Sequence, residues 1–270
     1  MSSVNSDHLA TTEQDIERDS EELEDCFGEI ADCTSDIIMK KGVEVSGLKT
    51  RLASLSVHNK KLHEEFLEDI WSQIGDATIE DVWYKLGKYW DFLNYSLLEH
   101  LVKKFGDEAL KARMKTYKKK LENFLSKTRL CDFIEHFKHV NKSLVRENFW
   151  MFEVKLKKDW EECTLEDLEH VKRNITQKLF FPSFSLVLKD FNSGCVSVTW
   201  AIPAVFATSL MENMESMDLS NFCEEHGIIS MVIDGVEFYP PLGPNNNPDT
   251  NPKKEDVTGQ LTHIVKVRGV

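Results

Sequence analysis

Apolar residues step along the N-terminal part of the chain at intervals of four and three: Leu23, Phe27, Ile30 and, past the polar Thr34, Ile37. The stripe resumes with Val45, Leu48, Leu52, Leu55, Leu62, Phe66 and Ile70. Such spacing lays one apolar face along a helix, and that face needs a partner to cover it. Gly42 and Gly47 interrupt the run, each costing about 1 kcal/mol relative to Ala, so the stripe divides and residues 41–70 are expected as a separate amphipathic helix. Asn59 falls on the seam between Leu55 and Leu62, where a buried amide in a coiled coil sets register and favours two strands. The seam Leu48, Leu52, Leu55, Asn59 and Leu62 is therefore one candidate binding surface, for a helical partner or a second copy. Packing against the protein's own middle region is the other use open to it.

From residue 71 to 147 the pattern stays helical. Thr78 is placed to cap a helix carrying Ile79, Val82, Trp83 and Leu86. The apolar set running from Tyr89 to Phe105 stops at Gly106, and Asp107 opens a helix through Leu110, Met114, Tyr117, Leu121, Phe124 and Leu125. A short last helix behind a Thr128 cap completes a small antiparallel bundle. After Asn148 the period changes from 3.6 to 2. Phe149–Leu156 reads as a strand, Thr164 opens a helix, and strands follow over 184–191 and 195–201 around the turn residues Asn192, Ser193 and Gly194. Pro203 suits the first turn of the next helix, and Ile228–Ile233 is a fourth strand with a short extended piece after Asp234 and Gly235. Strand, helix, strand, strand, helix, strand over 148–240 is a ferredoxin-like order. The fold class is thus α+β, and the proline-rich, polar residues 241–270 are expected as a flexible tail.

Composition changes this picture little, and charge changes it more. The 270 residues, 41% apolar with six Trp and sixteen Phe, fill sizeable cores. No run approaches the length that spans a bilayer, the first thirty residues are not those of a secretory signal, and six scattered cysteines suit reduced thiols, so a cytoplasmic chain without membrane attachment is expected. Twelve Asp or Glu precede Lys40 against the single Arg18, within a formal charge of −13 for the whole chain. Residues 1–40 are expected as an acidic, mostly disordered tail. Leu101 to Arg129 carries ten Lys or Arg against Asp107, Glu108 and Glu122. An acidic tail folding back on that basic helix, an acidic partner for it, or a plainly solvated face all follow from such a division. Lys111, Lys115, Lys118, Lys119 and Lys120 mark the face expected to meet an acidic partner.

Catalytic motifs are not evident: the chain has no phosphate-binding glycine loop, no G-x-S-x-G and no H-E-x-x-H. His136 and His139, with Asp132 or Glu135, lie close enough on one helix to suggest metal ligands, but read better as the outer face of an amphipathic helix. Cys195 and His226 invite comparison with a Cys/His pair, though nothing in the sequence brings them together. A non-enzyme without metal or cofactor is the expectation. Nucleic acid is the rival partner, because RNA-binding ferredoxin-like sheets stack bases on aromatics of their first and third strands, where this chain has Phe152 and Trp200. The third strand lacks the charged and glycine positions of that motif, which makes nucleic acid the less favoured partner.

Two stretches carry a resemblance. "KYWDFLNYSLLEHLVKKFGDEALKARMKTYKKKLENFLSKTRLCDFI", and "DWEECTLEDLEHVKRNITQKLFFPSFSLVLKDFNSGCVSVTWAIP" continuing to "FCEEHGIISMVIDGVEFYP", together resemble a helical plus α+β module of lineage-expanded sponge multidomain proteins. That module often stands beside death-fold, ankyrin or nucleotide-binding receptor domains. The resemblance covers about Trp71 to Pro240 and implies an intracellular protein–protein interaction module, an adaptor or scaffold in immune or cell-death signalling. It assigns no functional residues.

Overall fold

The computed structural model of the protein describes residues 13–53, 68, 78–140, 149–180, 182–192 and 196–238. The expected C-terminal tail, the first twelve residues and most of 54–77 lie outside the described residues. From Glu13 to Lys40 the segment expected as a disordered tail is instead one 28-residue helix, α1. Its acids, the half-buried Glu24 apart, occupy the outward positions, while Ile16, Ser20, Leu23, Phe27, Ile30, Ala31, Thr34 and Ile38 are buried. Burying such side chains stabilises by roughly 1.5–3 kcal/mol each, enough to order a strongly charged segment. The two polar members of the stripe fit because they are small, and the Thr34 hydroxyl donates to the Ile30 carbonyl at 2.6 Å. Gly42 then takes φ +60°, a conformation side chains disfavour, and ends the helix. Helix α2 (Val45–Ala53) follows.

Four more helices build the bundle: α3 (Ile79–Leu86), α4 (Ser96–Phe105), α5 (Glu108–Lys127) and α6 (Leu130–Val140). Thr78 caps α3 in a reciprocal pair with Asp81, and Asp107 caps α5 by accepting from the Leu110 amide at 2.8 Å. Gly106 closes α4, as expected, without a left-handed turn. Its φ is −62°, and an added Cβ would sit 2.6 Å from the Val102 carbonyl oxygen, so only glycine fits the tight α4–α5 corner. Thr128 does not cap α6. It closes α5, donating its amide to the Phe124 carbonyl, and its own carbonyl accepts from the Leu165 amide.

The C-terminal elements are β1 (Phe149–Leu156), α7 (Leu165–Lys178), β2 (Val187–Asn192), β3 (Val196–Pro203), α8 (Ala204–Ser216), α9 (Ser220–Glu225), β4 (Ile228–Ile233) and β5 (Val236–Phe238). They form a five-stranded sheet in the order β2-β3-β1-β4-β5, each neighbouring pair antiparallel. Pro203 is the last residue of β3 and stands just before α8, where its missing amide hydrogen leaves no ladder bond unmade. The chain is thus α+β, with helices concentrated in its first half. Phe152 lies opposite Trp200 and Ile233, and Val154 opposite Val198 and Met231, giving one continuous buried face.

The described residues, all within Met1–Pro240, cluster as one unit. Between the bundle and the sheet, Phe137 stacks on Phe191 with ring centroids 5.0 Å apart, and Phe133 and Trp160 approach the same ring. The second joint is polar. Asn94, 3% exposed, donates its side-chain amide to the carbonyls of Tyr89 and Phe184 at 2.9 and 2.8 Å. Its oxygen accepts from the buried Lys172 ammonium at 3.1 Å.

Candidate functional site

The α4–α5 hairpin carries the basic segment singled out in the sequence. Leu97, Leu98, Leu101, Val102 and Phe105 bury one face of α4, and Leu110, Met114, Tyr117, Leu121 and Phe124 one face of α5. With those faces committed inward, the lysines are left outside. Between the two helices runs an open groove of about 590 Å³. Val102 and Met114 form its floor, and Lys103, Lys111, Lys115, Lys118 and Lys119 its rim, together with Glu99 and Glu122. Four of the five lysines expected to face an acidic partner therefore share one groove.

Its charges are only partly matched. Glu99 receives Lys118 at 2.8 Å and Lys103 at 3.0 Å. Burial opposes the Glu99 charge, but these two lysines outweigh it and hold the carboxyl below its ordinary range. Lys118 is likewise penalised by burial, yet its bond to Glu99 raises it above the ordinary lysine value. Lys111 reaches Glu108 at 2.9 Å on its own helix. Among the described residues Lys115 and Lys119 make no ion pair. They stand one turn apart on an exposed face.

Lys120, the fifth expected lysine, points elsewhere. It pairs with Glu22 of α1, and Arg113 pairs with Glu29 while donating toward the Cys33 sulfur at 3.5 Å. The acidic N-terminal segment thus folds back on the basic helix. Glu22 is held below its ordinary range by the Lys120 hydrogen bond. These pairs are exposed and fix register more than they stabilise.

The other expected seam divides. Leu48 is 0% and Leu52 1% exposed, so this described part of it is closed off within the unit. Leu55, Asn59 and Leu62 lie outside the described residues. Phe152 and Trp200, compared with base-stacking positions, are 0% and 2% exposed and pack against each other with centroids 6.1 Å apart. On the opposite face of the same strands stand Met151, Glu153, Lys155 and Thr199, where the Ser197 hydroxyl donates to Glu153 at 2.6 Å.

Among the described residues no group of three or more His, Cys, Asp and Glu is placed to hold a metal ion. The side chains of His136 and His139, and the whole of Cys195, lie outside the described residues. His226 packs edge-on against Phe222 and meets the Asn174 amide at 3.2 Å. Cys163 and Cys223 are buried, which pushes their thiols up to about 11 and keeps them protonated at neutral pH. Among the described residues no helix is long and apolar enough to cross a membrane.

The floor of the groove and the part played by Lys103 and Glu99 went unread in the sequence. Val102 and Met114 look like any core positions until α4 and α5 are set side by side. The signal that points there is the Glu99–Lys103 pair at i, i+4, one turn before a glycine corner. No family model, no curated protein and no solved structure matches the chain.

Proposed function

We propose that this chain is a non-catalytic protein-interaction module, an adaptor or scaffold of the cytoplasm that binds other proteins through the lysine-lined surface of α5. One observation carries the reading: the α4–α5 groove gathers five lysines against two glutamates, and the row containing Lys115 and Lys119 is turned to solvent. Basic charge so arranged attracts an acidic surface and speeds its encounter. The region 149–238 is assigned a ferredoxin-like arrangement extended by β5. The strand order β2-β3-β1-β4, with α7 and α8–α9 as the intervening helices, supports that assignment. The resemblance to the sponge module supports a role in immune or cell-death signalling. Burial of Leu48 and Leu52 weighs against self-association through the seam they begin. Burial of Phe152 and Trp200 weighs against RNA, because a base cannot stack on a ring that is already covered.

Affinity capture of the full chain from cells, with and without ribonuclease, tests the reading. Specific proteins retained after ribonuclease, and lost with the Lys115→Glu/Lys119→Glu chain, are expected. Recovery of RNA, with every associated protein released by ribonuclease, would overturn it in favour of nucleic-acid binding.

A further inference from the structure

We infer that the α4–α5 groove takes one acidic amphipathic helix from a partner protein, an inference that rests on the protein-binding reading and names the partner's chemistry. The groove's shape comes first. Val102 and Met114 close its base and are almost fully covered, so the apolar surface open to a ligand is that of the lysine stems above them, long alkyl chains with charge only at the tip. A ligand complementary to such a surface places apolar side chains down the middle and carboxylates on either flank.

The spacing of the rim comes second. Lys111, Lys115 and Lys119 follow one another at i, i+4 and i+8 along α5, a rise of about 6 Å per step. A helix lying alongside α5 offers Asp or Glu at the same four-residue interval, and so meets all three without bending. An extended peptide also carries side chains at roughly this repeat, but it gains most of its affinity from backbone hydrogen bonds to a sheet edge. The side chains of α4 and α5 provide no such edge. A helix satisfies its own backbone and needs only side-chain contact.

The balance of charge comes third. Glu99 is already engaged by Lys118 and Lys103, and Lys111 has only the exposed Glu108, so incoming carboxylates face Lys111, Lys115 and Lys119 against one remaining rim acid, Glu122. Nucleic acid fits less well. Among the described residues no aromatic side chain lines the groove for a base to stack on.

The experiment measures fluorescence anisotropy of three labelled probes with the full chain. The first is a synthetic helix with Leu at i, i+3, i+4 and i+7 and Glu at every fourth position beside them. The second is the same composition scrambled to break the stripe, and the third is single-stranded oligouridylate of matched charge. Binding of the first probe about tenfold tighter than of the second is expected. The Lys115→Glu/Lys119→Glu chain, with unchanged circular dichroism and unfolding midpoint, should lose that binding by about tenfold or more, as should the wild-type chain at high salt. Equal binding of the first two probes, or binding of neither, would overturn the helical partner while leaving ribonuclease-resistant capture to judge the broader reading. Preferential binding of the oligouridylate would overturn the inference in favour of nucleic acid.

Discussion

Asn94 shows how much one side chain holds together. Its amide closes two carbonyls, one from the bundle and one from the segment before β2, and its oxygen is the nearest acceptor of the Lys172 ammonium, with Glu169 farther away at 3.6 Å. Asn94→Ala leaves two carbonyls and a buried cation short of partners, a loss of roughly 3 kcal/mol or more. Lys172→Met is expected to cost less, since a flexible apolar chain fills the same space. In urea denaturation the double variant should then be more stable than the sum of the two losses implies. Simple additivity would mean that the joint is held by the aromatic contacts alone.

Glu24 works in the opposite sense. One of its oxygens is buried without a hydrogen-bond partner, and burial, then repulsion from Asp91, Glu21 and Asp25, raises its carboxyl above the ordinary value. A group whose folded value is raised in this way opposes folding when ionised, and the protein recovers that stability as pH falls through the folded value. Asp167 and Glu99, both depressed, contribute stability that is present above the ordinary carboxylate value and lost as pH falls through their folded ones. Glu24→Gln is thus expected to raise the thermal midpoint at pH 7 and to have little effect near pH 4. A midpoint that falls at pH 7 would show that the ionised carboxylate has a favourable partner.

Among the elements, α1 departs most from its sequence. Twelve acids before Lys40 suggest a solvated tail, yet the stripe from Leu23 through Ile30 is visible and extends back to Ile16 once the small Ser20 is admitted to it. Charge dominates composition, whereas burial is decided by one face in three or four positions, so a composition-led boundary misplaced a packed helix. Phe27, 7% exposed and 5.8 Å from the Tyr117 ring, is central to that face. Phe27→Ala is expected to destabilise the chain by about 3–5 kcal/mol, measured by denaturant unfolding. A silent substitution would return the segment to the status of a tail. The elements with sharp local signals were legible: β1 and β4 match their expected spans, and Thr78, Asp107 and Thr164 cap the helices expected of them.

For the whole molecule, the joint between bundle and sheet was beyond the sequence, because it depends on which distant residues meet. Asn94 and Phe191 are unremarkable in the chain, and only the fold brings Phe184, Lys172 and Phe137 to them. The lysine row was legible as a stripe, but not its division. Lys120 turns to Glu22 of α1, while Lys115 and Lys119 turn to an open groove, and that difference separates a structural charge from one available to a partner. A titration of the acidic amphipathic helix into the isotope-labelled full chain, followed by backbone amide shifts, tests that division most directly. Shifts concentrated at Val102, Lys103, Lys111, Lys115 and Lys119, with Lys120 and the sheet unmoved, are expected. Shifts centred on the Glu153, Lys155 and Thr199 face of the sheet would contradict the account.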